Sequence, residues 1–146
     1  MSLEKWNEII KNNLTSVFLC SKECINIMIK KHKGSIINIA SVWGISGSSC
    51  EAAYSASKGG IIALTKALAK ENSLSGIRVN CISPGVVNTD MNNIYTKEDM
   101  ENLKEEIPLK KIAQPFDISK TAIFLASEKA SYITGQNIVV DGGFLL

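Results

Sequence analysis

Three short runs rich in β-branched residues, "SIINIAS" (35–41), "IRVNCIS" (77–83) and "QNIVVDGG" (136–143), each follow a helical segment, and this alternation constrains the fold more than any other feature. Strands separated by helices of that length pair in parallel, through right-handed crossovers that lay the helices on the faces of the sheet. The apolar residues of these runs fit strands of a sheet covered on both sides. Ligands of such sheets sit beyond the carboxyl ends of the strands. Ser41, the segment 80–83 and Asp141 are the polar positions that follow the strands, so chemistry is expected along that edge.

The helices can be read in the same way. From 3 to 31, apolar side chains recur at Trp6, Ile9, Ile10, Leu14, Val17, Phe18, Cys24, Ile25 and Met28, which makes one helix with a broad buried stripe. Lys30, Lys31, His32 and Lys33 put cations at its negative end, and Gly34 is expected to take the left-handed turn after it. Ser48 and Glu51 read as a capping box opening a second long helix over 49–73, closed by Gly76. A mixed segment, 84–111, holds a short helix in "TKEDMENLKEE", and Pro115 starts a further helix that buries Ile118, Ala122 and Leu125. With no repeat, linker or low-complexity tract, the 146 residues form a single domain over 1–146.

Charge and cysteine usage narrow the partners. A net charge of +2 gives no reason to expect nucleic acid or an anionic membrane, and an RNA-binding module would need a basic-aromatic patch that is not seen. No apolar run approaches the roughly 18 residues of a membrane span, and a cytoplasmic location is expected. Cys20, Cys24, Cys50 and Cys81 form no C-x-x-C pair, and His32 lies apart from them in a basic cluster. Cys20 and Cys24 share a helix face, which suits buried thiols better than zinc ligands, so no metal is expected.

Within "AYSASKGG", Tyr54 and Lys58 stand one helical turn apart on one face. A free tyrosine has a pKa near 10, and a neighbouring ammonium favours the phenolate, so the pair suits proton transfer near neutral pH. Tyrosine and lysine at this spacing also occur on ordinary surface helices. Ser41, thirteen residues before Tyr54, ends a strand where its hydroxyl can reach the same substrate oxygen; the plainer reading is a loop serine that caps backbone. Asn13 is a polar residue on the inner half of an apolar helix, placed either to bond freed backbone or to hold a water.

In chain order, "NNLTSVF", "IINIASVWG", "AAYSASKGGIIALTKALAKE", "GIRVNCISPGVVNTDM" and "YITGQNIVVDGG" resemble consecutive motifs of the classical short-chain dehydrogenase/reductases, nearest among them the 3-oxoacyl-(acyl-carrier-protein) reductases. The resemblance implies an NAD(P)(H)-dependent oxidoreductase that reduces a ketone, such as a 3-oxoacyl thioester, to a secondary alcohol. It implies Tyr54 as acid–base, and Lys58 as the group that lowers its pKa and holds the nicotinamide ribose. Ser41 would orient the substrate oxygen and Asn13 hold a relay water. "PGVVNT" is similar to the family's Pro-Gly-x-x-x-Thr segment, which adds Pro84, Gly85, Val87 and Thr89 to the NAD or NADP contacts. The implied fold is α/β: the C-terminal half of a Rossmann-type doubly wound parallel sheet, about three parallel strands with flanking helices.

The family's Thr-Gly-x-x-x-Gly-x-Gly phosphate loop and its Asn-Asn-Ala-Gly segment do not occur in this sequence, nor does the residue that selects NAD from NADP. Gly44, Gly47, Gly59 and Gly60 belong to other motifs. "MSL" before Glu4 resembles an expression leader joined to an internal fragment, with a truncated reading frame as the alternative. "KKIAQPFDIS" has Lys, Ala and Phe where relatives tend to have Arg, Gly and an acidic residue, which loosens the substrate assignment. Two expectations follow. By itself the chain should bind cofactor poorly and be inactive, the alternative to an enzyme being a silent oligomerisation module. Its unpaired first strand and two long helices should drive homo-oligomerisation.

Overall fold

The computed structural model describes residues 1–146, apart from the side chains of Asn93 and Ile94. A parallel sheet of three strands, in the order β1-β2-β3, is formed by β1 (Gly34–Ile39), β2 (Ile77–Pro84) and β3 (Asn137–Val140). In register, Gly34 lies opposite Ile77, Ile39 opposite Ile82, and Cys81 opposite Asn137. The helices are α1 (Leu3–Ile10), α2 (Ser16–Lys31), α3 (Trp43–Ser46), α4 (Ala52–Asn72), α5 (Lys97–Glu106) and α6 (Pro115–Ala126). The parallel α/β architecture expected of the alternating pattern is the one adopted. No described helix is long and apolar enough to cross a membrane.

Side-chain alternation along β2 explains the layering. Ile77 and Val79 meet Ile25 of α2 and Ala69 of α4, while Cys81 joins Ile61, Leu14 and Val17 on the same face. Ile82 points the other way, to Leu125, Ile118 and Ala122 of α6. Burial of one such isoleucine is worth about 1.5–3 kcal/mol. Arg78 is half-buried and donates to the carbonyls of Leu125 and Ser127, satisfying groups that the end of α6 leaves open. The half-buried Ile118 and Ala122 and the fully buried Leu125 are the inward face that the sequence pattern predicts for this helix.

The two edges of β2 are both paired, whereas β1 has one open side. The N–H groups of Gly34, Ala40 and Val42 donate to Gly76, Ile82 and Pro84 at 3.3, 2.8 and 3.0 Å. Because peptide groups alternate along a strand, those of Ser35, Ile37 and Ile39 point away from β2.

Several local expectations need correction. The first helix is interrupted by a π-helical turn, Lys11–Thr15, between α1 and α2. His32, at φ 47°, takes the left-handed position at its end, not Gly34, which lies in β1. A Cβ at Gly34 would lie 2.9 Å from Met28 Cβ, a close approach that favours glycine there. Gly76, which closes the connection after the second long helix, is left-handed at φ 70°. The Ser48–Glu51 capping box does not form: Cys50 between them adopts φ 62°, and α4 starts at Ala52 with no side-chain cap. Cys20 and Cys24 are exposed rather than buried. The inward stripe of α2 runs through Ser21 and Ile25 instead, one position further round the helix. Asn80 and Ser83 lie inside β2, where Asn80 donates to the Ile133 carbonyl and accepts from Gln136 N–H, and Ser83 donates to Asn137. Asn80 thus holds β2 to the loop before β3 and Ser83 holds it to β3 itself, so neither is part of the chemical edge.

Candidate active site

Ser41 lies two residues beyond β1 and is only 7% exposed. Its Oγ accepts the Trp43 N–H at 3.2 Å, so the hydroxyl proton remains available to donate outward. The chain then turns into α3, which presses directly on α4. A Cβ at Gly44 would lie 2.7 Å from the carbonyl carbon of Lys58 and 2.8 Å from Gly59 N. Only glycine permits this approach, and it brings the serine loop onto the helical turn that carries Tyr54 and Lys58.

On that turn Lys58 Nζ is 5.5 Å from the Tyr54 ring centroid and donates to the Ile39 carbonyl at 3.2 Å. The acceptor is one of the outward-facing carbonyls of β1. The expected lowering of the tyrosine pKa by Lys58 is not found in the chain. Partial burial pushes the Tyr54 phenol up, the Ser41 hydroxyl pulls it part of the way back, and the Glu51 carboxylate raises it further. Burial also holds the Lys58 ammonium below its ordinary range, partly offset by Cys81. Tyr54 at neutral pH is therefore a phenol, with a proton to give.

Asn13 sits in the π-helical turn, which packs against α4. Its Nδ2 donates to Ser57 Oγ at 3.2 Å, and Ser57 Oγ donates to the Tyr54 carbonyl at 2.7 Å. The apolar-helix asparagine is thus tied to the tyrosine's own helical turn.

Farther along the carboxyl edge, the Pro84 carbonyl accepts from Val42 and Gly85 N–H donates to the Val140 carbonyl at 3.0 Å. Val87 forms an isolated parallel bridge with Ala113, and its carbonyl accepts Asn92 Nδ2 at 2.6 Å. Its N–H makes no hydrogen bond among the described residues, which leaves one directed backbone donor beside the strand ends. Thr89 is exposed, and its hydroxyl makes only a long, 3.5 Å contact with the Val87 carbonyl; nothing ties it to Tyr54 or Lys58. An ammonium, a phenol and a free N–H suit the hydroxyl and carboxamide groups at the nicotinamide end of a dinucleotide. No glycine-rich cradle for its phosphates is among these residues.

The sequence pattern did not single out Ser57, the Trp43 N–H or the Ile39 carbonyl. Ser57 was in principle legible, since Ala53, Ser57, Ile61, Thr65 and Ala69 recur every fourth residue and are all buried on α4. The other two are backbone groups, which carry no residue-type signal.

Set beside known proteins, residues 1–145 match the family model described as enoyl-(acyl carrier protein) reductase. The chain is 47% identical to the 3-oxoacyl-[acyl-carrier-protein] reductase of Chlamydia trachomatis over 147 aligned positions, covering 98% of this chain and 58% of that protein. Against the reductase of the same description from Chlamydia pneumoniae the identity is 46%, with the same coverages. A 4-hydroxyisoleucine dehydrogenase mutant, solved with NADH and succinate, superposes with a TM-score of 0.93 at 39% identity, over 98% of this chain and 60% of that one. The chain thus spans about three fifths of the length of its relatives.

Proposed function

We propose, because the chain belongs to the short-chain dehydrogenase/reductase family, that it carries the acid–base half of an NAD(P)(H)-dependent ketone reductase, with Tyr54, Lys58, Ser41 and Asn13 as its machinery. The observation that carries this reading is the pairing of two protons at one place. Ser41 keeps its hydroxyl proton for donation on the Tyr54 side, and Tyr54 beside it is held as a phenol one turn from Lys58.

Two hydroxyls suit a carbonyl oxygen, which gathers negative charge as its carbon is reduced. Ser41 would orient that oxygen by donating to it. Tyr54 would transfer its proton to the oxygen as the alcohol forms, leaving a phenolate one helical turn from the Lys58 ammonium. Asn13 would hold the water through which the phenol regains its proton. When bound, NADH or NADPH supplies the hydride. Lys58 and Tyr54 would meet its ribose, Val87 its carboxamide, and Pro84, Gly85 and Thr89 would border it. The family model's description names an enoyl substrate and the curated relatives' names a 3-oxoacyl one. A site that offers two proton donors to one oxygen favours the ketone, so a 3-oxoacyl thioester on an acyl carrier is the substrate class proposed.

The phosphate loop of the family is not among these 146 residues, so the chain by itself should bind the dinucleotide weakly and turn over negligibly. The experiment compares the chain alone with the chain joined to the glycine-rich segment of its Chlamydia trachomatis relative. Cofactor binding is followed by nicotinamide fluorescence and turnover with a 3-oxoacyl thioester. The joined protein should gain both. There, Tyr54→Phe should lower kcat by a factor of about 100 or more while cofactor affinity stays within about threefold. Unchanged turnover in that variant would reject the acid–base role, and micromolar cofactor binding by the chain alone would reject its proposed weakness.

A further inference from the structure

We propose that Ser57 is a positioning residue for this site, locking the Asn13 amide to the turn that carries Tyr54. The inference rests on the acid–base reading of Tyr54 and names a group that the Tyr-x-x-x-Lys pattern leaves unspecified.

Ser57 lies between Tyr54 and Lys58 and is 0% exposed. Its hydroxyl has one proton, and that proton goes to the Tyr54 carbonyl at 2.7 Å. Toward Asn13 it can therefore act only as an acceptor. Asn13 must present Nδ2, which it does at 3.2 Å, and its Oδ1 is thereby left to face elsewhere. One serine thus decides which way round the amide sits.

Two further features favour a purpose for this hydroxyl. Serine is a poorer mid-helix residue than alanine, and its neighbours on the same buried stripe of α4 include Ala53 and Ala69. An alanine at position 57 would serve packing as well. Across the contact, Asn13 sits within the π-helical turn, Lys11–Thr15, where the regular backbone ladder is interrupted and a side chain can be held at an unusual angle. The hydrogen bond spans 44 residues of sequence, so it joins two helices and is no local cap.

The test has two arms. In the chain itself, NMR follows exchange of the Asn13 side-chain amide protons with solvent. Ser57→Ala should speed that exchange about tenfold, and Ser57→Thr, which keeps the hydroxyl, should not. In the joined enzyme described above, Ser57→Ala should lower kcat about tenfold with KM within about twofold. Combined with Asn13→Ala, it should lose no more than Asn13→Ala alone, because both changes break one unit. A merely structural serine would lower Tm and yet give losses in kcat that add. Unchanged amide exchange, or additive losses, would overturn the proposal. Should Ser57→Ala not fold, Ser57→Cys, close in size and a weak hydrogen-bonding group, carries the same comparison. If Tyr54→Phe keeps its turnover, the acid–base reading fails, while the amide exchange still decides the Ser57 link.

Discussion

Ile39 of β1 and Ile82 of β2 face each other across the sheet, yet one is 45% exposed and the other 0%. Their strands are similar in character, each a short run that carries two or three isoleucines and one asparagine. What differs is the company. β2 has a strand on either side and helices on both faces, while β1 has a strand on one side only. The same contrast divides the helices. α4 buries six residues along its length and α2 only two, with Leu19, Ile27 and both its cysteines exposed. The lesson is that a strand-forming pattern declares that burial is wanted, while the neighbours decide whether it is obtained. Tyr54 and Lys58 stand on the border between the enclosed and the open region.

The largest expected effect comes from the isoleucine pair itself. Ile82→Ala should cost about 2–5 kcal/mol, as a large-to-small change in a filled core does. Ile39→Ala should cost about 0.5 kcal/mol or less, as at a surface site. Denaturant unfolding of the two variants measures both, and equal losses would break the contrast by showing that β1 is covered in solution.

A smaller effect separates the regions by pH. Burial pushes the Cys81 thiol up from 9.0 to about 11, against smaller opposing contributions from Ala40, Thr65 and Lys58. Between those values the unfolded chain loses this proton first, so the folded state should lose stability as pH rises through that window. Tm recorded across it should fall more steeply in the parent chain than in Cys81→Ala.

The least perturbing test changes no residue. Cys20, Cys24 and Cys50 are exposed and should react promptly with a thiol reagent, whereas Cys81 should react only on unfolding. If the chain associates through α2, as its exposed apolar residues favour, Cys20 and Cys24 should become slower to label as concentration rises while Cys50 does not. Labelling of Cys81 at the same rate as the others would refute its burial.

Much of the fold was legible because it depends on local patterns. The isoleucine-rich runs became β1 and β2, Pro115 opened α6, and Gly76 closed the connection after α4. The misses have non-local causes. No residue type announces the π-helical turn, which occurs where Asn13 reaches a serine 44 positions away. Cys50 adopts a left-handed backbone that its side chain does not favour, and this displaced the start of α4. Of the candidate site, the pairing of Tyr54 with Lys58 and the nearness of Ser41 could be read from spacing. The direction of the tyrosine's pKa could not, since it depends on how deeply the phenol is enclosed and on Glu51.

The hydrogen bond from Lys58 to the Ile39 carbonyl joins two matters usually kept apart. The carbonyl belongs to the rim of the sheet, and the ammonium belongs to the proton-transfer turn. A peptide segment laid along β1 and a sugar hydroxyl brought to Lys58 would therefore bid for partners in the same bond, each releasing what the other needs. Whatever pairs with that rim of β1 would thereby also change the surroundings of the lysine.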